Sequence, residues 1–333
     1  MGSSYSFKAY IIVVSILLLS GCVDLFPPAT GTFGFSGYGT GIKVHSFDFS
    51  SDKVYSGQPS LLTLEMQNRG AIGIEEDIYV YLYGLSRGEN EWFDDLSDIG
   101  LSGASMAAGD PRVLIIDSLM APIKSLDADG ESAQITWVLD APNDLPEGQV
   151  FKFSAGTRVC YPYSTTSIAK IEVLDEEEYL SRDRDGTLRK HAIRIDTTAG
   201  PLDVVMTTDQ PMMLSDDTDE LTLRVKIVDR GGGTIITQDC SDVFEWEDNV
   251  LDLFALHDKV SVTLDNKECD LELKELYFRV SGSGPPTADF PVTCNIPSLD
   301  VPMRILDLKM RFEYNYFIDK STVISVEGLG EEE

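Results

Sequence analysis

The chain has 333 residues, 26 of them Lys or Arg and 56 Asp or Glu, for a formal charge of −30. A field of that sign repels phosphate backbones and anionic lipid faces, which excludes nucleic acid as a partner. With 43% hydrophobic residues the chain has enough apolar content to bury cores and is not an acidic disordered tail; its length suits two domains of ordinary size. The acidity fits either a carboxylate-rich surface hydrated in high salt or an ordinary soluble extracellular surface.

The first element in chain order is a leader. Lys8 is the only charge before an apolar run of eleven residues, Ala9 to Leu19. At about 1.5 Å per residue such a run crosses roughly half of the ~30 Å hydrocarbon layer, so it suits a secretory signal better than a membrane span. It ends in Leu19-Ser20-Gly21-Cys22. This resembles the lipobox of prokaryotic lipoproteins, which implies cleavage before Cys22, a lipid on its thiol and an extracytoplasmic protein held to the membrane at the cell surface. The competing readings are an ordinary secretory peptide with a chance cysteine and an uncleaved anchor. Residues 1–21 are then the signal peptide and 22–40 a tether, in which Pro27, Pro28, Gly31, Gly34, Gly37 and Gly39 keep the chain flexible.

Beyond the tether the pattern is short alternating runs separated by turn residues. Ile42 to Phe49 is followed by Leu62 to Met66, which runs into the turn Asn68-Arg69-Gly70. Further strands are predicted at Asp77 to Leu85, Val113 to Ile116, Ile135 to Leu139, Val150 to Ser154 and Ile168 to Leu174. In the second half they fall at Leu223 to Val228, Val260 to Leu264, Leu271 to Val280, Phe290 to Thr293 and Thr322 to Val326. Two landmarks recur. Leu62 to Gly70 is echoed by Leu223 to Gly231, with Arg69 and Arg230 in equivalent places, and Arg158-Val159-Cys160-Tyr161-Pro162-Tyr163 is echoed by Arg311-Phe312-Glu313-Tyr314-Asn315-Tyr316. The order and spacing of the matches predict a tandem duplication. The fold class expected is all-β: two tandem immunoglobulin-like antiparallel β-sandwiches at 41–174 and 192–327, joined by an acidic linker at 175–191 and followed by an acidic tail at 328–333.

The segment Leu64 to Gly70, followed by Ile78 to Tyr83 and later by Asp129-Gly130-Glu131-Ser132 leading into Ile135-Thr136-Trp137, resembles the CARDB-like immunoglobulin-fold modules of archaeal and bacterial surface proteins. The resemblance covers most of 41–174 and only the strand and turn of the second repeat. It implies a prokaryotic, archaeal-type surface lipoprotein with Trp137 in a core and Asp129-Gly130 setting the turn before it. Residues 86–112, with Asn90-Glu91-Trp92-Phe93-Asp94-Asp95, make a longer connection than such modules carry.

Four cysteines follow Cys22: Cys160, Cys240, Cys269 and Cys294. In an oxidising compartment they are disulfide candidates, with at least one bridge expected among the last three. Two full bridges require Cys160 to reach into the second half; one bridge with two buried thiols is the alternative.

Reaction chemistry is sparse. His45, His191 and His257 are isolated, and no triad, phosphate-cradling glycine loop or metal-ligand spacing is present. No catalytic residue is assigned and no cofactor is required. Ser181-Arg182-Asp183-Arg184-Asp185-Gly186 places oxygen side chains at alternate positions before a glycine, as a calcium loop begins. Asp183 and Asp185 are therefore weak calcium ligand candidates; Ala192 stands where the closing Glu should be, and a solvated linker is the competing reading. Asp216 to Glu220 reads as a loop. Tyr79, Tyr81 and Tyr83 on one strand face stabilise a sheet or offer a carbohydrate platform.

The function expected is a non-enzymatic binding, adhesion or envelope-structural module. Its partners would be the membrane, through the N-terminal lipid, and other surface proteins or glycans. The alternatives are an exported hydrolase with acidic catalytic residues and a solute-binding lipoprotein.

Overall fold

The structure is a computed structural model that describes residues 40–87, 90–91, 99–102, 105–106, 110, 112–143, 145–215, 220–236, 239–242, 260–265, 267–270, 285–296 and 299–329. The signal peptide, Cys22, nearly all of the tether, Trp92 to Asp95, Asp216 to Asp219, His257, the strand expected at Leu271 to Val280 and the last four residues lie outside them. The chain divides into Met1–Ser36 and Gly37–Glu333, and the architecture below belongs to the second unit.

Two strands dominate it, Val150–Asp175 of 26 residues and Met303–Glu327 of 25. They pair antiparallel without a register shift from Val150↔Glu327 to Leu174↔Met303. Along the first, Phe153, Val159, Tyr161, Tyr163, Ile171 and Val173 are buried; along the second, Leu308, Phe312, Tyr314, Tyr316, Ile324 and Val326. Odd positions of one strand and even positions of the other thus share one face, as the two-residue period of a strand requires.

Smaller sheets lie on that face. Over one end are Ile42–Phe49, Pro59–Asn68, Ser132–Asp140 and Ile99–Ser102, hydrogen-bonded in that order. Over the other are Leu202–Met206, Glu220–Asp229 and Thr287–Asn295, continuing through Lys267–Asp270 and Val260–Leu264 into the second long strand. The result is an antiparallel all-β sandwich architecture. Pro59–Asn68 shows why these segments are strands: Leu62, Leu64 and Met66 face the core at every second position, and polar residues face out between them. Trp137 is fully buried with its ring edge-on to Phe47 at 6.4 Å between centroids.

The halves repeat one strand order. Ile42–Phe49 pairs with Pro59–Asn68, and that with Ser132–Asp140; Leu202–Met206 pairs with Glu220–Asp229, and that with Thr287–Asn295. Even a short parallel strand recurs, Lys53–Tyr55 against the end of the second long strand and Met212–Leu214 against the end of the first. The halves share more than was expected of two consecutive sandwiches. The runs Val150 to Ser154 and Ile168 to Leu174 belong to one strand, its partner comes from the other half, and one hydrophobic cluster runs through both. Pro162 is tolerated within this strand because Ile78–Gly84 pairs with it only as far as Cys160, so no ladder is interrupted on that flank.

The stretch 175–191, expected as a linker, contains the helix Glu176–Arg184. Asp175 caps it by accepting the Glu178 N–H at 2.7 Å, three glutamates occupy the first turn, and Arg182 and Arg184 the last. That arrangement matches the helix dipole at both ends.

At the middle of the long ladder the two turn motifs meet four tyrosines. Asn68 Oδ1 accepts the Gly70 N–H at 2.9 Å and Asp229 Oδ1 accepts the Gly231 N–H at 3.0 Å, the same side-chain turn in both halves. The Tyr163 hydroxyl accepts the Ala71 N–H and the Tyr316 hydroxyl that of Gly233. A Cβ on Gly70 would sit 2.0 Å from the Tyr163 hydroxyl, and one on Gly231 2.4 Å from that of Tyr316, so glycine is required where each phenol reaches its turn. Tyr161 accepts from the Ile42 N–H at 3.2 Å, and the Leu202 backbone hydrogen-bonds Tyr314 in the corresponding place. Burial holds Tyr161, Tyr314 and Tyr316 well above the ordinary phenol range and pushes Tyr163 up to about 12.

The symmetry breaks at one atom pair. Asn68 donates its amide to the Ile72 and Leu119 carbonyls, both at 2.9 Å, whereas Asp229 is a buried carboxyl that accepts the Tyr316 hydroxyl at 2.7 Å. Burial raises Asp229 to about 6, against the lowering effect of the hydrogen bonds from Tyr316 and Gly231. Because the folded value lies above the unfolded 3.8, this group's contribution to stability is full below pH 3.8 and is lost as the pH rises through about 6. The difference corresponds to on the order of 3 kcal/mol. Asp229→Asn, which copies Asn68, is expected to raise the urea midpoint at neutral pH and to flatten stability between about pH 4 and about pH 6. Urea titrations across that range check this, and a variant less stable than the parent at pH 7 would contradict it.

Candidate functional site

The face of the long ladder opposite the core carries the even positions of the first long strand and the odd positions of the second. Cys160, Pro162 and Ser164 lie there beside Glu313, Asn315 and Phe317. Cys160 is joined to Cys240, 80 residues on, in the short turn Cys240–Asp242. With Ile236 these sulfurs form a second small cluster, against which Tyr79, Tyr81 and Phe317 pack. Cys160 therefore does reach into the second half. The other bridge joins Cys269 to Cys294, directly opposed residues of neighbouring strands. Both bridges form, and of the two alternatives left open by the sequence it is full pairing that occurs.

Two adjoining grooves open on this outer face, of about 330 Å³ and 360 Å³, and share Glu76, Pro162 and Asn315 as lining. The first continues past Ile72, Gly73, Ile74, Glu75, Tyr163, Ser164, Arg311, Glu313 and Tyr314; the second past Asp77, Tyr79, Asp239 and Cys240. Among the described residues the walls carry the carboxylates Glu75, Glu76, Asp77, Asp239 and Glu313 against one cation, Arg311, which pairs with Glu313 at 2.7 Å. Burial, and then the charges of Asp77, Asp239 and Asp242, raises the Tyr79 phenol. The grooves thus present negative potential on a floor that the ladder and the Cys160–Cys240 bridge hold still.

Beside them runs an aromatic strip. Tyr81 stacks on Tyr83 at 5.9 Å between centroids, and the Arg158 guanidinium lies over the Phe317 ring at 4.4 Å while gripping Asp319 through two 2.8 Å bonds. The rings are half-buried, Tyr79, Tyr81 and Phe317 pack on the Cys160–Cys240 cluster, and together they leave an amphipathic surface next to the carboxylates.

Asp183 and Asp185 stand at the C-terminal end of the helix Glu176–Arg184, where Asp185 is the capping residue and its N–H donates to Ser181 O. Arg182, between them and the acidic first turn, binds Glu178 at 2.6 Å and Glu172 at 3.4 Å. Among the described residues no group of three or more His, Cys, Asp or Glu side chains is placed to hold a metal ion. His45 bonds Gln67 and His191 bonds Gln210, each at 3.1 Å, in separate places. No helix among the described residues is long and apolar enough to cross a membrane.

Sequence reasoning did not find the grooves. Glu75 and Glu76 fall between predicted strands and Asp77 begins one, and only strand pairing brings them beside Asp239 and Glu313.

No family model matches this chain, and no curated protein matches it. Among solved structures it is similar to the collagen adhesin of S. aureus at 9% identity over 87% of this chain and 94% of that one, with a TM-score of 0.13.

The Cys160–Cys240 link closes an 80-residue loop and the Cys269–Cys294 link one of 25. In the chain-entropy account these are worth about 4.5 and about 3.5 kcal/mol. Replacing Cys160 and Cys240 together by Ser is expected to lower the unfolding free energy by about 2–4 kcal/mol, read by urea titration, and to make Tyr79 and Tyr81 more accessible to iodination. Thiol labelling of the unreduced, unfolded chain should find no free thiol at the four positions.

Proposed function

We propose that this protein is an extracytoplasmic lipoprotein, anchored through a lipid on Cys22, that works by contact and not by catalysis. It is a CARDB-like surface module whose outer-face grooves take a basic segment of another envelope component. The observation that carries this reading is the charge of the grooves: among the described residues Glu75, Glu76, Asp77, Asp239 and Glu313 line them, with Arg311 already paired to Glu313. A rigid carboxylate-walled cleft attracts cationic side chains during encounter and rejects anionic ones. The disulfides fit an oxidising compartment, and the leader followed by a Gly- and Pro-rich tether fits display on a membrane.

The test is a photocrosslinking residue placed at Ser164, inside the first groove, with a second placed at the exposed Val205 as control. In native membranes the groove position is expected to capture a neighbour that the control does not. Capture should weaken as salt rises, since exposed charges are screened beyond about 8 Å at physiological ionic strength, and should fall at least tenfold with Glu76→Lys and Asp77→Lys together. Cys22→Ser should release the chain from membranes or leave the leader uncut. Turnover of an ester, peptide or glycan by the purified chain, abolished by one carboxylate change, would replace this reading with the hydrolase alternative.

A further inference from the structure

Among the exposed large apolar side chains of the described residues, Leu126 at 72% and Met120 at 65% are the most exposed, and Ile123, 46% exposed, lies between them. All three stand on one loop. Leu119 bridges to Ile74 and Ile123 to Ala128, and the short 3-10 turn Lys124–Leu126 closes on Asp127 in the left-handed region at φ 51°. No residue of that turn is buried, so its side chains point away from the core. The base is fixed by the Asn68 amide on the Leu119 carbonyl at 2.9 Å, by the Met120 N–H on the Glu131 carboxylate at 2.9 Å, and by the Glu131 N–H on the Met120 carbonyl at 3.0 Å. A held loop that shows three large apolar side chains to water is an interaction surface.

What meets it follows from where the chain enters. The Arg69 N–H donates to the Gly41 carbonyl at 2.7 Å, and Asn68, its neighbour, holds Leu119. The end of the tether and the base of the loop therefore converge on Asn68-Arg69. Eighteen residues separate Cys22 from Gly41, so Gly41 lies no farther from the anchor than about 65 Å, the reach of a fully extended chain of that length. We infer that Met120, Ile123 and Leu126 enter the interfacial layer of the bilayer to which Cys22 is anchored, and so set how the protein stands on the membrane. The inference rests on the lipid-anchor reading above. Three side chains alone would bind membranes weakly; the tether turns their insertion into an intramolecular event. Lys124 sits at the headgroups, and the exposed Asp127 and Asp129 of the same loop, with the chain's charge of −30, favour a zwitterionic surface over an anionic one.

The test uses the full chain in vesicles of phosphatidylcholine with brominated acyl chains, which quench tryptophan at short range. Leu126→Trp and Met120→Trp are the reporters, two because either substitution alone could disturb the loop. Val323→Trp, at a 52% exposed position on the second long strand, is the control. Quenching of the reporters by at least twofold more than the control is expected, and replacing the other two apolar residues by Ser should reduce it. Reporter quenching equal to the control's overturns the inference, as does shielding of the loop by a protein partner without lipid quenching. Mass spectrometry of the Cys22 peptide separates the two readings. If the cysteine is unmodified and the chain is soluble, the anchor reading fails, and the same reporters with excess vesicles added still judge the loop: quenching keeps it and no quenching removes it.

Discussion

The antiparallel ladder between Val150–Asp175 and Met303–Glu327 is the constraint on which the rest of the structure depends. It takes one strand from each half of the chain and aligns them so that Tyr161 faces Tyr316 and Tyr163 faces Tyr314. Each phenol then reaches a backbone amide of the strand-end segments that begin or close the overlying sheets. One buried face is thereby made common to both halves. A register slip by one residue would turn every core side chain of the slipped strand to the opposite face, so the pairing and the two sandwich cores stabilise each other.

The halves share a strand order and differ in particular side chains. Asn68 and Asp229 make the same turn, but a neutral amide can satisfy two buried carbonyls where a carboxylate can only accept. The second half consequently holds a buried acid that resists ionisation, beside the Tyr316 hydroxyl that donates to it. The turns survived because their glycines admit a tyrosine ring at a distance no Cβ would allow.

The two faces of the ladder have taken different work. The inner face carries the apolar residues and tyrosines of the core; the outer face carries Pro162, Asn315, the carboxylate-lined grooves and an aromatic strip fastened by the Cys160–Cys240 bridge. Surface chemistry there can vary without disturbing the core, because alternate residues of a strand do not share an environment. The apolar loop at Met120 to Leu126 is fastened to Asn68, whose neighbour Arg69 bonds Gly41 near the start of the described residues.

Much of the fold was legible in the sequence. The alternation of Leu62, Leu64 and Met66, the Asn68-Arg69-Gly70 and Asp229-Arg230-Gly231 turns, the buried Trp137 and the repeat of the tyrosine motif are local patterns, and a two-residue period states which side of a strand is apolar. A sharper reading of Asp175-Glu176-Glu177-Glu178 with Arg182 and Arg184 following would have found the helix, since an N-cap with charges opposing the dipole is also a local signal. The grooves, the pairing of Cys160 with Cys240 and the continuity of the long strands were decided only by tertiary structure. Gly156 and the run Ser164 to Ser167 look like breaks until a partner strand more than a hundred residues away supplies the missing hydrogen bonds. Periodicity fixes the face a side chain takes, but not the neighbour it meets, because that neighbour is chosen by contacts distant in sequence.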